Sequence, residues 1–348
     1  MQRRDIVVIG TSAGGVEALS RLMAQLPRDF PAAILVVMHV SAVPRIVLPE
    51  ILTRVGPLRA FHPKDGEPLE PGRIYVAPND RHLLVEPGRV RVVKGPRENN
   101  HRPAVDPLFR SAAQAYGSRV VGVVLTGALD CGTAGLMAIK DRGGIAVVQE
   151  PEDAFCPDMP RSALAHVAVD HHVPLAELGA LLVHLVSTPL VEEAPAVSAR
   201  LREEVKALAE GAGVHADPRA VGNPSFFSCP DCGGVLFEMD ERGMLRYRCR
   251  VGHGYTARAL SVQQQSALDG ALWAAVRSLE ENASLSRRMA HRARGNNHLL
   301  TAHRYDDRAQ ATEEQAELVR QVVIGITSKL DPEEPPEEVL PEVKARGA

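Results

Sequence analysis

The chain has 348 residues and 45% hydrophobic content, enough for one large and one smaller domain with ordinary cores, which excludes a disordered or fibrous chain. Forty Lys plus Arg against 43 Asp plus Glu leave a net charge of -3, so no overall field favours a nucleic acid or an anionic membrane. Five cysteines, an odd number with three clustered, fit a metal site in a reducing, cytoplasmic setting better than a disulfide framework, and no apolar run nears the roughly 20 residues of a membrane span.

The first predicted element is a strand over Ile6 to Ile9, ending in Gly10-Thr-Ser-Ala-Gly-Gly15 and followed by a helix from Val16 to Gln25. Glycines there permit a tight strand-to-helix turn, and Ser12 sits on it beside the free amides and positive dipole end of the helix. Gly10-x-Ser12-x-Gly14 has nucleophile-elbow spacing, whereas a dinucleotide fingerprint fails because Ser12 replaces its second glycine. A glycine-rich turn with an incidental serine is the plainer alternative. Ile34 to Met38, Val120 to Leu125 and Ile145 to Val148 read as parallel strands buried on both faces, with helices over Asp106 to Tyr116 and Thr133 to Arg142. Arg73 to Val93, punctuated by Pro78-Asn79-Asp80 and Pro87-Gly88, reads as an antiparallel hairpin added to the sheet.

Beyond the α/β part the spacing predicts a polar helix over Ser198 to Ala209, a Gly/Pro-bearing stretch from Gly211 to Pro224, and a cysteine module. Two long helices follow, Thr256 to Arg294 and Leu299 to about Thr327, broken at Gly295-Asn296-Asn297. The expected architecture is a doubly wound, mostly parallel α/β domain over 1–188 with an antiparallel β excursion, then a linker with a helix over 189–225. A zinc-ribbon-like module over 226–256, a helical hairpin over 257–328 and a disordered tail over 329–348 complete it. Leu260, Leu268, Leu272, Val276, Leu279, Leu285 and Met289 form an apolar stripe on the hairpin, available for a core, for dimerisation or for a signalling partner.

In an open α/β sheet, functional groups gather at the carboxyl ends of the strands. Ser12, His39 and Asp130 all fall there, in the order nucleophile, base and acidic orienter that hydroxyl activation uses. Cys229-Pro-Asp-Cys232 and Cys249-Arg-Val-Gly-His253 make a second constellation, whose Cys229, Cys232, Cys249 and His253 form a closed tetrahedral donor set of the structural zinc kind. So short and glycine-rich a segment draws its folding energy from the metal. Cys156 reads as an isolated buried thiol.

These segments resemble the catalytic domain of the CheB-type chemotaxis protein-glutamate methylesterases. The likeness is carried by Gly10 to Gly15, Met38-His39, Tyr75-Val-Ala-Pro-Asn-Asp-Arg-His82, Arg102-Pro-Ala-Val-Asp-Pro-Leu-Phe-Arg110, Leu125-Thr-Gly127 with Gly132-Thr-Ala-Gly135, and Met159-Pro-Arg-Ser162. The resemblance implies hydrolysis of glutamyl γ-methyl esters on receptor helices, and in some members deamidation of glutamine, with Ser12 as nucleophile, His39 as general base and no catalytic cofactor. The family motif Leu-Thr-Gly, three residues, Asp-Gly lands on Cys131 here, with Asp130 one place early; Asp80 and Asp106 are further candidates for the orienter. Because the chain begins at the esterase's first strand, the receiver domain of the family's regulated members is expected to be missing. A methylated receptor or another signalling protein is the expected partner, with no nucleic acid and no membrane insertion. A catalytically weakened esterase fold acting as a binding module is the rival expectation.

Overall fold

A computed structural model describes residues 3–39, 48–190, 194–210 and 222–327. The predicted stretch from Gly211 and the predicted tail fall largely or wholly outside these residues. Two compact units divide the chain, Met1–Gln263 and Gln264–Ala348. The first runs β1 (Ile6–Thr11), α1 (Gly15–Ala24), β2 (Ala33–Met38), α2 (Leu48–Val55), β3 (Arg59–Phe61), β4 (Arg73–Val76), β5 (His82–Glu86) and β6 (Arg89–Val93). It continues through α3 (Val105–Tyr116), β7 (Val120–Val124), α4 (Thr133–Asp141), β8 (Ile145–Gln149), α5 (Asp158–His166), β9 (His171–Val173), α6 (Leu175–Ser187) and α7 (Ala199–Glu210). Four more strands follow, β10 (Asn223–Ser228), β11 (Val235–Glu241), β12 (Met244–Cys249) and β13 (Gly254–Thr256), and then helix α8 (Ala257–Gly295) begins.

Seven strands form one sheet in the order β3-β4-β2-β1-β7-β8-β9, and every adjacent pair is parallel. β1, β2 and β7 are buried at every position, as strands covered by helices on both faces must be, so their apolar runs do not alternate. From β1 the chain passes to β2 on one side and returns to β7 on the other, which puts the topological switch point at the carboxyl end of β1. The predicted antiparallel excursion is present as β5 and β6, but its attachment differs from the expectation. β4 belongs to the parallel sheet, and β5 with β6 form a separate two-stranded ribbon instead of an addition to it; α3 packs on that ribbon, with Ser111 Oγ accepting from the Val85 amide at 3.0 Å.

β10 to β13 make a four-stranded antiparallel sheet within the same unit. It joins the α/β part through charge. Glu98 pairs with Arg110, with Arg246 at 3.3 Å and with Arg248 at 3.1 Å, and Glu204 of α7 reaches Arg110 at 3.1 Å and Arg246 at 3.2 Å. All five side chains are buried.

The second unit carries the rest of α8 and helix α9 (Leu299–Thr327). The predicted stripe is buried only in part: Leu260 and Val276 are buried but Leu268, Leu285 and Met289 are exposed, and the seam of this unit runs through Val276, Ala283 and Ala290 on α8 and Ala302, Ala309, Ala316 and Val323 on α9, in steps of seven. Small side chains let two helices approach closely, and Leu268, Leu285 and Met289, which lie off that seam, are left outside. Ion pairs Glu280–Arg320, Arg287–Glu313 and Arg294–Asp306 share one antiparallel register.

Candidate active site and Cys3His centre

Ser12 directly follows β1 and His39 directly follows β2, and Thr11 lies opposite Met38 in the parallel register, so the two residues stand at neighbouring strand ends. The elbow is tied down from below. The Ser12 amide donates to Thr126 O at 3.0 Å, Thr11 Oγ1 donates to the same oxygen at 2.7 Å, and Thr126 Oγ1 donates to Ala13 O at 2.8 Å. Gly14 caps α1 in the left-handed region at φ 76°, the conformation for which glycine is suited. Gly127 is required by close approach, since a Cβ there would lie 2.2 Å from Met159 Sδ and 2.8 Å from Ser12 Cβ.

His39 Nε2 is buried without a hydrogen-bond partner. Burial, with the His101 ring beside it, holds the imidazole well below the ordinary histidine range and therefore neutral. The two rings stack face to face, centroids 3.8 Å apart and planes 8° from parallel. His101 was not singled out from the sequence, although the Asn99-Asn100 pair before it is a turn signal.

Asp130 does not join them. Its Oδ1 accepts from Thr256 Oγ1 at 2.8 Å, and burial pushes its carboxyl up to about 6. Thr256 also accepts from the Ala259 amide at 3.1 Å and so caps α8. The preceding residue, Leu129, is held in the left-handed region at φ 62°. Cys131, where the resemblance expects the acid, is buried just before α4, and burial pushes its thiol well above the ordinary range. Of the other candidate orienters, Asp106 accepts from the Gly135 amide at 2.6 Å and from Asn99 Nδ2 at 3.2 Å, and Asp80 accepts from Arg102 Nε at 2.8 Å. Among the described residues, no carboxylate is hydrogen-bonded to His39.

Cys229, Cys232, Cys249 and His253 converge, with one ligand atom from each lying within 4.8 Å of all the others. Cys232 Sγ is 3.7 Å from Cys249 Sγ, and His253 Nδ1 is 3.7 Å from Cys229 Sγ and 3.5 Å from Cys249 Sγ. A tetrahedron with Zn–S of about 2.3 Å and Zn–N of about 2.0 Å has edges of roughly 3.8 Å between sulfurs and roughly 3.5 Å from sulfur to nitrogen, so the donor set fits that ion.

The family model for CheB methylesterase matches residues 7–182. The chain belongs to the CheB methylesterase family. A Leptospira interrogans protein described as a candidate protein-glutamate methylesterase/protein-glutamine glutaminase is 36% identical over 182 residues, 52% of this chain and 94% of that protein. An Anaeromyxobacter dehalogenans protein-glutamate methylesterase/protein-glutamine glutaminase is 40% identical over 176 residues, 51% of this chain and 52% of the relative. The crystal structure of the Thermotoga maritima CheB methylesterase catalytic domain matches with a TM-score of 0.50 at 35% identity, covering 52% of this chain and 98% of that one. The CheB methylesterase match ends at residue 182, so the Cys3His sheet and both long helices lie beyond it. No helix among the described residues is long and apolar enough to cross a membrane.

Proposed function

We propose that the chain hydrolyses γ-methyl esters of glutamyl side chains on chemoreceptor-type proteins, with deamidation of glutamine at the same site, using Ser12 as nucleophile and His39 as general base. The observation that carries this reading is a neutral imidazole with a buried, unpartnered Nε2 at the strand end next to Ser12. His39 takes the hydroxyl proton as Ser12 Oγ attacks the ester carbonyl carbon, and the oxyanion forms at the N-terminus of α1, among amides that strengthen as charge develops. The tetrahedral intermediate expels methanol, protonated by His39, and water then hydrolyses the acyl-serine with His39 again as base. The substrate class is supported by the names that the relatives carry.

The same reading places a zinc ion among Cys229, Cys232, Cys249 and His253, where four protein donors supply folding energy. Elemental analysis of chain purified without chelator should find one zinc per molecule.

Cys131 at the family's acid position, and Asp130 committed to Thr256, favour one second reading, an esterase fold that binds receptor helices without turnover. Methanol release from a methylated receptor fragment decides between them. The wild type should release methanol and react with a serine-directed phosphonate, and Ser12→Ala should lose at least about 10³-fold in rate. Wild-type release by Ser12→Ala would overturn the nucleophile, and no release by either chain would leave the binding module.

A further inference from the structure

We propose that His101 is a positioning residue for His39, and that β13 of the Cys3His module sets it by gripping the turn that carries it. The proposal rests on the reading of His39 as the base. An imidazole that must accept a proton from Ser12 needs a fixed ring plane, and in a serine-histidine-acid site the acid supplies it. Here no described carboxylate bonds to His39, and the described restraint on its ring is the stacked His101.

His101 ends a two-residue turn. The Glu98 amide donates to His101 O at 3.2 Å and the His101 amide donates back to Glu98 O at 2.9 Å, with Asn99 and Asn100 at φ 50° and 65°, the pattern of a type I′ turn. The outer parts of this loop are held by the α/β part: His82 Nε2 lies 2.9 Å from Pro96 O, and Arg102 Nη1 donates to Gly95 O at 2.8 Å. Its centre is held by the module. The Asn99 amide donates to Gly254 O at 2.8 Å, the Gly254 amide donates to Arg97 O at 3.2 Å, and the Thr256 amide donates to Asn99 Oδ1 at 2.9 Å. Contact is close on both sides of His253: a Cβ on Gly252, which sits at φ 104°, would lie 2.9 Å from Pro96 Cγ, and one on Gly254 would lie 3.2 Å from Glu98 Cγ. Arg246 and Arg248 of β12 grip Glu98 at the other end of the turn. A donor residue of the metal centre is thus followed directly by the strand that orders the turn, and the turn delivers the ring that faces the base. A displaced His253 releases His39 without any ion touching the ester.

The test uses the full chain with ¹³C-labelled histidine, the His39 ring signal being assigned through His39→Gln. His101→Ala should lower kcat about 10- to 100-fold with KM changed less than about twofold, the size of effect that a small misplacement of a catalytic group produces. It should also move the His39 signal and shift the acid limb of kcat/KM to higher pH, because the groups facing this stack are His101 itself and, behind it, Arg97. His101→Phe keeps a flat ring on His39 and should recover most of kcat. Removing the metal, verified by elemental analysis, should move the His39 signal as His101→Ala does, and added zinc should restore it. Wild-type kcat with an unmoved His39 signal in His101→Ala overturns the positioning role. A His39 signal unchanged by metal removal overturns the module's part. Should His101→Ala fail to fold, a His101→Phe kcat as low as that of His39→Gln overturns the stacking role. Methanol release undiminished in His39→Gln would instead break the reading of the base, while the ring signal still reports on the stack.

Discussion

In the parallel sheet, Val8, Leu35 and Val124 are dry among other apolar side chains, whereas the four-stranded sheet buries Arg246 and Arg248 and has an apolar cluster of six residues, two of them cysteines. A large sheet covered on both faces removes enough apolar surface to stand on that alone; a sheet of four short strands cannot, and needs stronger local ties. Buried ion pairs provide such ties, the proposed metal on the converging Cys3His donors would add another, and both make the small sheet dependent on conditions that the large one ignores. Because Glu98 and Glu204 come from outside the small sheet, its dependence extends into the α/β part.

Chelation should separate the two regions most strongly. Loss of a Cys3His metal removes several kcal/mol of folding energy at least, on the order of what small zinc modules require. Hydrogen exchange should quicken across β10 to β13, α7 and the 98–101 turn while β1, β2 and β7 stay protected; equal quickening in the parallel strands would erase the distinction. Glu98→Gln should cost about 3–5 kcal/mol, since it leaves buried arginines short of a counter-charge. Glu98 is held down to about 2 by those arginines, below the ordinary carboxylate range, so its contribution is full above about pH 4.5 and is lost as the pH falls towards 2. Denaturant titrations from pH 7 to pH 3 should therefore show the gap between wild type and Glu98→Gln closing. Leu35→Ala should cost about 2–5 kcal/mol by opening a cavity, and that cost should not change over the same range.

Asp130→Asn tests the join between the regions with the opposite sign. Burial raises this carboxyl to about 6, so ionised Asp130 costs stability above that pH and the cost vanishes below about pH 4. The asparagine variant should be more stable by on the order of 2 kcal/mol at pH 8 and equal to wild type at pH 4. Its kcat should be close to wild type, as Asp130 faces Thr256; a fall beyond about 10²-fold would return Asp130 to the base. Smallest of all, Leu129→Gly should stabilise by about 0.5–1 kcal/mol, relieving a left-handed leucine at the expense of glycine's extra chain entropy, a change within reach of thermal melts.

Much of the large region was legible because its signals are local. Continuous apolar runs marked Ile6 to Ile9 as a strand and Ile34 to Met38 as a strand buried on both faces, and the glycines around Ser12 marked the elbow. The three-residue strands Arg59–Phe61 and His171–Val173 carry too little pattern to be seen, and the β5–β6 ribbon looked like part of the sheet because turn residues say nothing about which neighbour a strand finds. Spacing alone brought Cys229, Cys232, Cys249 and His253 together. What stayed hidden depends on long-range placement: His101 on His39, Thr256 on Asp130, and three arginines around Glu98 and Glu204 join residues as much as 150 apart in the chain. Val276 of the predicted stripe is in the seam, but Leu268, Leu285 and Met289 misled because size suggested positions that alanine mostly fills.

That alanine seam also separates two kinds of information. Repeating every seven residues, it records only phase: one helix slid along the other by a full heptad, about 10 Å, would present the same small side chains. Glu280–Arg320, Arg287–Glu313 and Arg294–Asp306 record position, because each pair is matched in one alignment. A seven-residue insertion within α9 would leave the seam in phase but shift those charges by one repeat, so the hairpin would keep its packing and lose its address.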